Sequence, residues 1–186
     1  MRADRIDAVL LDMGGVLLPE LQSYERSVRD REFLTALAEQ GVGDAESFVI
    51  ERARRLRDAY RALERECRQP DVDDVLADCN PVVRGLLLRA FKRQAAPAPY
   101  AHARAVVADL ARDFALGIVS NNSMAGDHHA RVLRRAGILQ YIGSAAWSAN
   151  FGRRKPDPAM IFSVLRELGA PVERAIFVGD KLRTDV

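Results

Sequence analysis

The sequence predicts an α/β protein: a parallel sheet layered between helices, with a block made only of helices inserted after the first strand. Three observations carry that prediction. Apolar runs of β type stop abruptly at a small or acidic residue, as residues 6–11 do before Asp12 and residues 175–178 do before Gly179-Asp180. From residue 99 onward such runs alternate with helical stretches, the pattern of βαβ units around a parallel sheet. Between the first and second runs, from about Tyr24 to Gln94, only helical spacing is present.

The elements follow in order. Residues 6–11 read as a buried parallel strand that ends in the glycine turn Asp12-Met13-Gly14-Gly15. Val28, Phe33, Leu34 and Leu37 make a helical stripe ended by Gly41 and Gly43. A second helix is expected over 46–67, stopped by Pro70. A third begins at Asn80-Pro81, a cap followed by proline at the first helical position, and runs to about Arg93. Residues 95–100 read as a hinge. Beyond it come a helix to about Arg112, a strand at 114–119, and a helix from about Met124 to Gly137. A strand at 142–147 follows, then a helix from Asp157-Pro158 to Gly169, and the strand at 175–178. Residues 1–18 and 99–186 would form a discontinuous core, and 19–98 a helical lobe.

Composition excludes several classes. At 48% hydrophobic and 29% charged, the chain is built like an ordinary globular protein. No run reaches the ~18 apolar residues of a membrane span, and residues 1–7 lack the pattern of a signal peptide, so a cytoplasmic protein is expected. A net charge of +2 gives no reason to invoke nucleic acid. The Arg-rich stretch 52–68 interleaves acids at helical spacing and reads as a solvated, ion-paired face. Cys67 and Cys79 fit no metal spacing and read as reduced structural thiols.

Ligands of an open parallel sheet bind beyond the carboxyl ends of its strands. The residues at those ends are Asp12, then Ser120-Asn121-Asn122, then Asp180 with Asp185 five positions later; Lys155 lies in the connection after the strand at 142–147. Only Lys92, Lys155 and Lys181 are lysines, which makes Lys155 conspicuous. Converging acids repel unless a cation joins them, and oxygen ligands with open positions suit Mg2+. A lysine and a hydroxyl beside that ion are what a phosphoryl group requires to spread its charge.

These segments resemble the four motifs of the haloacid dehalogenase superfamily, in the subfamily with a helical cap between the first two motifs. The matches are Leu10-Leu11-Asp12-Met13-Gly14-Gly15-Val16, Gly117-Ile118-Val119-Ser120-Asn121-Asn122, Arg154-Lys155-Pro156-Asp157-Pro158, and Phe177-Val178-Gly179-Asp180 with Asp185. The resemblance implies a Rossmann-like core and a Mg2+-dependent phosphatase acting on a small phosphorylated metabolite. Asp12 would be the nucleophile, forming an aspartyl-phosphate. Asp12, the Gly14 carbonyl, Asp180 and Asp185 would hold Mg2+. Ser120, the backbone amide of Asn121 and Lys155 would bind phosphate, with Lys155 also neutralising Asp12.

Two departures qualify the resemblance. The family's second motif I acid, two residues after the nucleophile, is here Gly14, as in sugar-1-phosphate phosphatase-like members and in the dehalogenase branch. A metal-independent 2-haloacid dehalogenase and a non-catalytic phospho-ligand-binding protein therefore stand as alternatives, although a dehalogenase would not need Asp180 and Asp185. Glu20 is expected to lie beyond the turn, out of reach as a replacement acid. The family also continues past motif IV through a further helix and strand that are absent here, which would leave residues 175–178 at an exposed edge.

Other residues have plainer readings. Asn122 or Ser123, and Asp157, are expected to cap helices. Arg153, Arg154, His128 and His129 should face solvent, and Trp147, Phe151 and Phe162 should be core. Specificity is expected from residues 18–24 and from the helix bearing Arg52 to Arg57.

Overall fold

A computed structural model describes residues 5–20, 24–95 and 97–185. Strand β1 (Ala8–Leu11) is buried along its whole length, as an interior parallel strand with helices on both faces should be. After it the chain turns through a 3-10 segment at Tyr24–Arg29 into helix α1 (Arg31–Glu39). Helices α2 (Ala45–Ala62), α3 (Val72–Val75) and α4 (Pro81–Ala95) follow. Caps fix their starts: Asp30 accepts from the Phe33 N–H, Asp44 from Ser47 and Asn80 from Val83.

Helix α5 (Ala103–Leu110) returns the chain to β2 (Ala115–Ser120). Then come α6 (Gly126–Arg135), β3 (Ser144–Trp147), α7 (Ser148–Phe151), α8 (Ala159–Leu168), β4 (Ala175–Val178) and α9 (Leu182–Asp185). The four strands form one parallel sheet in the order β3-β2-β1-β4. Strand alternation sends Val9 and Leu11 to one face, against Val107 and Leu133, and Ala8 and Leu10 to the other, against Met160 and Val164. Helix, sheet and helix therefore stack as three layers. Each fully buried Leu or Ile in them contributes on the order of 1.5–3 kcal/mol.

The helices between β1 and β2 pack on a separate cluster that includes Phe33, Leu37, Val49, Leu56, Leu87 and Phe91. Met124, from the segment after β2, inserts into that cluster. No helix among the described residues is long and apolar enough to cross a membrane.

Several expected boundaries shift. Helix α2 stops at Ala62 rather than Cys67, so Pro70 is not its terminator. The chain instead unwinds through turns in which Cys67 takes a left-handed conformation (φ 51°). Strand β1 begins at Ala8 and β3 at Ser144, each two residues later than the apolar pattern suggests. The short α3 and α7 carried too few residues to show a period. The two cysteines are free, as expected. Of the expected hinge at 95–100, Ala96 lies outside the described residues, as do Met1 to Asp4 and the terminal Val186.

Strand β4 is the sheet edge among the described residues, and Ile176 and Val178 on one of its faces are 46% and 40% exposed. Phe151 and Phe162 are exposed rather than core, whereas Trp147 is buried. His129 is fully buried against Trp147, correcting the solvent-facing expectation, and its partner His128 is half-buried. Helix α6 can approach β3 so closely because residue 126 is glycine: a Cβ there would stand 1.9 Å from the Trp147 ring. Neither Asn122 nor Ser123 caps α6, which starts at Gly126 and whose first N–H donates to the Asn150 side chain; Asn122 is engaged by Ser148 instead. Asp157 does accept from the Ala159 N–H at the start of α8.

Candidate active site

Register explains why distant residues meet. Leu11 pairs with Ile118 on one side and Val178 on the other, so the strands leave the sheet level with one another. Asp12 then sits one residue beyond β1 and its N–H donates to the Val178 carbonyl. Ser120 closes β2 opposite Trp147. Asp180 and Asp185 follow β4, the latter on α9. The rim thus gathers Asp12, Ser120, Asn121, Lys155, Asp180 and Asp185, every side chain singled out from the sequence.

The Lys155 ammonium joins two of the acids. It lies 3.0 Å from Asp12 Oδ2 and 2.7 Å from Asp185 Oδ1, with the Lys155 side chain only 1% exposed. Burial pushes the Asp12 carboxyl above the usual range, opposed by Lys155 and by the Met13 N–H, which donates to Asp12 Oδ1 at 2.6 Å. Burial also acts upward on Asp185, but is outweighed by Lys155, the Lys181 N–H and Thr184, which leave its carboxyl lowered.

Asp12, Asp180 and Asp185 each offer an oxygen, and these oxygens lie within 4.8 Å of one another. Three carboxylates so close form a donor set suited to a hard divalent cation. Gly14, two residues after Asp12, lines the same cavity. Gly15 is required for a different reason. Its φ of 77° is left-handed, and a Cβ there would fall 2.1 Å from Asp180 Oδ2.

Asn121 makes a contact that its place in the motif did not reveal. Its side chain donates to the Lys155 carbonyl at 3.0 Å and accepts from the Lys155 N–H at 2.8 Å. This reciprocal pair ties the Lys155 loop to the end of β2 and so aims the ammonium.

A cavity of about 520 Å³ opens over the rim. Asp12, Gly14, Ser120, Asn121 and Lys155 form its floor, while Tyr24, Leu56, Arg57 and Tyr60 supply a wall from the helical block. Arg57 and Tyr24 fall where specificity was expected; Leu21, Gln22 and Ser23 lie outside the described residues. Most of the Arg-rich run is the solvated face anticipated, with Arg54–Asp58 and Arg55–Glu51 pairs one turn apart. Arg52 departs from it, being 8% exposed, stacked over Phe48 and paired with Asp78.

Two expectations need correction here. Glu20 does reach the cavity, because the chain doubles back after the turn: the Gly15 N–H donates to the Leu18 carbonyl. It is paired with Lys181 at 2.8 Å, and that bond lowers its carboxyl, which favours the ionised form. Arg154 also lines the cavity instead of facing solvent, with its guanidinium over the Tyr60 ring. Arg153 is exposed and paired with Asp157. Nothing local distinguishes Arg153 from Arg154; the stacking partner on α2 does.

A family model described as haloacid dehalogenase-like hydrolase matches residues 6–186. No curated protein gave a significant match. Among solved structures, the chain resembles a HAD-hydrolase, YfnB, of Bacillus subtilis bound to magnesium, at TM-score 0.64 and 18% identity over 98% of this chain and 81% of that one. It also resembles a HAD phosphatase from Thermococcus onnurineus (TM-score 0.61, 19% identity, 97% and 80% covered). A 2-haloacid dehalogenase from Pseudomonas syringae pv. Tomato gives TM-score 0.55 at 24% identity, with 97% and 80% covered. At these identities the neighbours establish the fold, and they span both phosphate and halide chemistry. The family model reaches from β1 through α9, and the chain belongs to the haloacid dehalogenase-like hydrolases.

Proposed function

We propose that the protein is a Mg2+-dependent phosphatase of small phosphorylated metabolites, working through an aspartyl-phosphate on Asp12, with the helical block as its cap. The observation that carries this reading is the grouping of Asp12, Asp180 and Asp185 within 4.8 Å of one another. Three converging carboxylates favour a cation-dependent reaction over a metal-independent one.

Asp12, Asp180, Asp185 and the Gly14 carbonyl would hold Mg2+, which when bound neutralises charge on the phosphoryl oxygens. Asp12 Oδ attacks phosphorus in line, the bond to the leaving oxygen breaks, and water later releases phosphate from the carboxylate. Lys155 stands beside both the nucleophile and the incoming phosphoryl group. Ser120 and the backbone N–H of Asn121 receive its remaining oxygens. The wall of Tyr24, Leu56 and Tyr60 limits water over the reacting atoms.

Gly14 removes the residue that would protonate the leaving group, a contribution of roughly 10²–10⁴-fold. The enzyme should therefore prefer anomeric, acyl or aryl phosphates, whose leaving groups are stable as anions. Gly14→Asp can test this, since a Cβ at Gly14 meets nothing within 4 Å.

The deciding experiment is a panel of phosphate esters and 2-haloacids assayed with Mg2+ and with EDTA. Phosphate release abolished by EDTA is expected. Halide release that ignores EDTA would replace this reading with the dehalogenase one, which Gly14 favours. Ligand binding without turnover would leave a phospho-ligand-binding protein.

A further inference from the structure

Every basic side chain on the cavity wall but one is matched to an acid. Lys155 is held between Asp12 and Asp185, Lys181 by Glu20, and Arg57 by Glu25 at 2.8 Å. Arg154 has no carboxylate within ion-pairing distance among the described residues. Its Cζ lies 4.4 Å from the centroid of the Tyr60 ring, and its buried Nε has no hydrogen-bond partner. Glu64, the acid that acts on it through space, is itself bonded to Arg183 at 2.9 Å.

The guanidinium is firmly placed. The Arg154 backbone N–H donates to the Cys67 carbonyl at 2.7 Å, which anchors the base of the side chain, and the Gln69 side chain donates to the supporting Tyr60 hydroxyl at 2.6 Å. A guanidinium laid on an aromatic face keeps its donors at the edges, in the plane that grips a carboxylate or phosphate two bonds at a time. Lys155 turns to Asp12 while its neighbour Arg154 turns to α2, so the two cations divide the cavity between rim and wall. The wall cation also borders a second cavity of about 270 Å³ that carries Arg65 and Arg183.

We infer that Arg154 is a specificity residue for a second anionic group, so that the substrates are phosphate monoesters whose leaving group bears a carboxylate or another phosphate. This inference rests on the phosphatase reading. The reacting phosphoryl group is already served by Ser120, Asn121 and Lys155, which leaves the unmatched charge of Arg154 for the rest of the molecule.

The test uses the full chain with Mg2+ and three matched pairs of aryl phosphates. Each pair has a carboxylate or the isosteric carboxamide, at the ortho, meta or para position. In at least one pair the acid should be favoured in kcat/KM by on the order of 10–100-fold, chiefly through KM. Arg154→Gln should bring that ratio close to one, and Arg154→Lys should retain part of it. The corresponding hydroxybenzoate should inhibit the unmodified protein more strongly than its hydroxybenzamide. Hydrolysis of all six esters with no preference in any pair overturns the inference and leaves the phosphatase reading intact. Phosphate release from none of them overturns both. A preference that survives Arg154→Gln assigns the selectivity elsewhere and overturns the role of Arg154. Should that variant fail to fold, the preference of the unmodified protein and of Arg154→Lys still decides the matter.

Discussion

The two sides of the acid group are built differently. Asp12 follows β1, an interior strand whose four residues are all buried, and is itself 7% exposed. Asp180 follows β4, an edge strand in which half-buried and exposed residues alternate, and is exposed. Asp185 stands between these extremes on the short α9, tied inward by Lys155. Asp12 is thus set by close packing from two neighbouring strands. Asp180 and Asp185 depend on one strand, one turn of helix and a single buried lysine. On the proposed reading, position is fixed where attack geometry would matter, and tolerance is left where a bound ion could adapt.

The largest expected effect probes the interior side. Asp12→Asn should lower phosphate release by on the order of 10⁴-fold or more without recovery at high Mg2+. Asp180→Asn should shift the Mg2+ requirement at least about 10-fold upward and recover in part when the ion is supplied. Titrating Mg2+ for both variants, with circular dichroism to verify folding, reads the contrast. Equal recovery of the two would erase the proposed difference between the sides.

Next comes the joint. Removing Lys155 leaves two close carboxylates without their shared cation, so Lys155→Ala should cost about 3–5 kcal/mol in urea unfolding. A loss below about 1 kcal/mol would mean that the two sides hold their acids independently.

Packing itself offers a comparison. Ile118→Ala in β2, a fully buried site, should cost about 2–5 kcal/mol. Ile176→Ala in β4 should cost less than about 1 kcal/mol because the side chain is already 46% exposed. Similar losses at the two positions would show that the edge is as well packed as the interior.

A further effect concerns pH. Burial lowers the pKa of His129 to about 4, so the folded chain favours the neutral ring. The unfolded chain takes up that proton nearer 6.5. His129 therefore leaves stability intact above about pH 6.5 and removes up to about 3 kcal/mol as pH falls toward 4, levelling below that. His129→Phe should flatten this slope in unfolding measured between pH 7 and 4. An unchanged slope would assign it to other groups.

What the sequence by itself determined lies at the strand ends. An apolar run that stops at Asp12, Ser120 or Asp180 is a local pattern, and parallel topology brings such ends to one rim whatever the loops contain. That is why all the candidate rim residues were legible before any contact was known. The placements of Arg154, Glu20 and His129, and the clamp from the Asn121 side chain, were decided only by tertiary structure. Arg154 and Arg153 are chemically alike neighbours, separated by the Tyr60 ring some ninety positions earlier in the chain. His129 shares its helix start with His128, yet only the glycine at 126 and the ring of Trp147 bury it. A period or a motif records which residues share a face. It carries no record of which distant side chain will be waiting there, because that depends on how separately encoded elements pack.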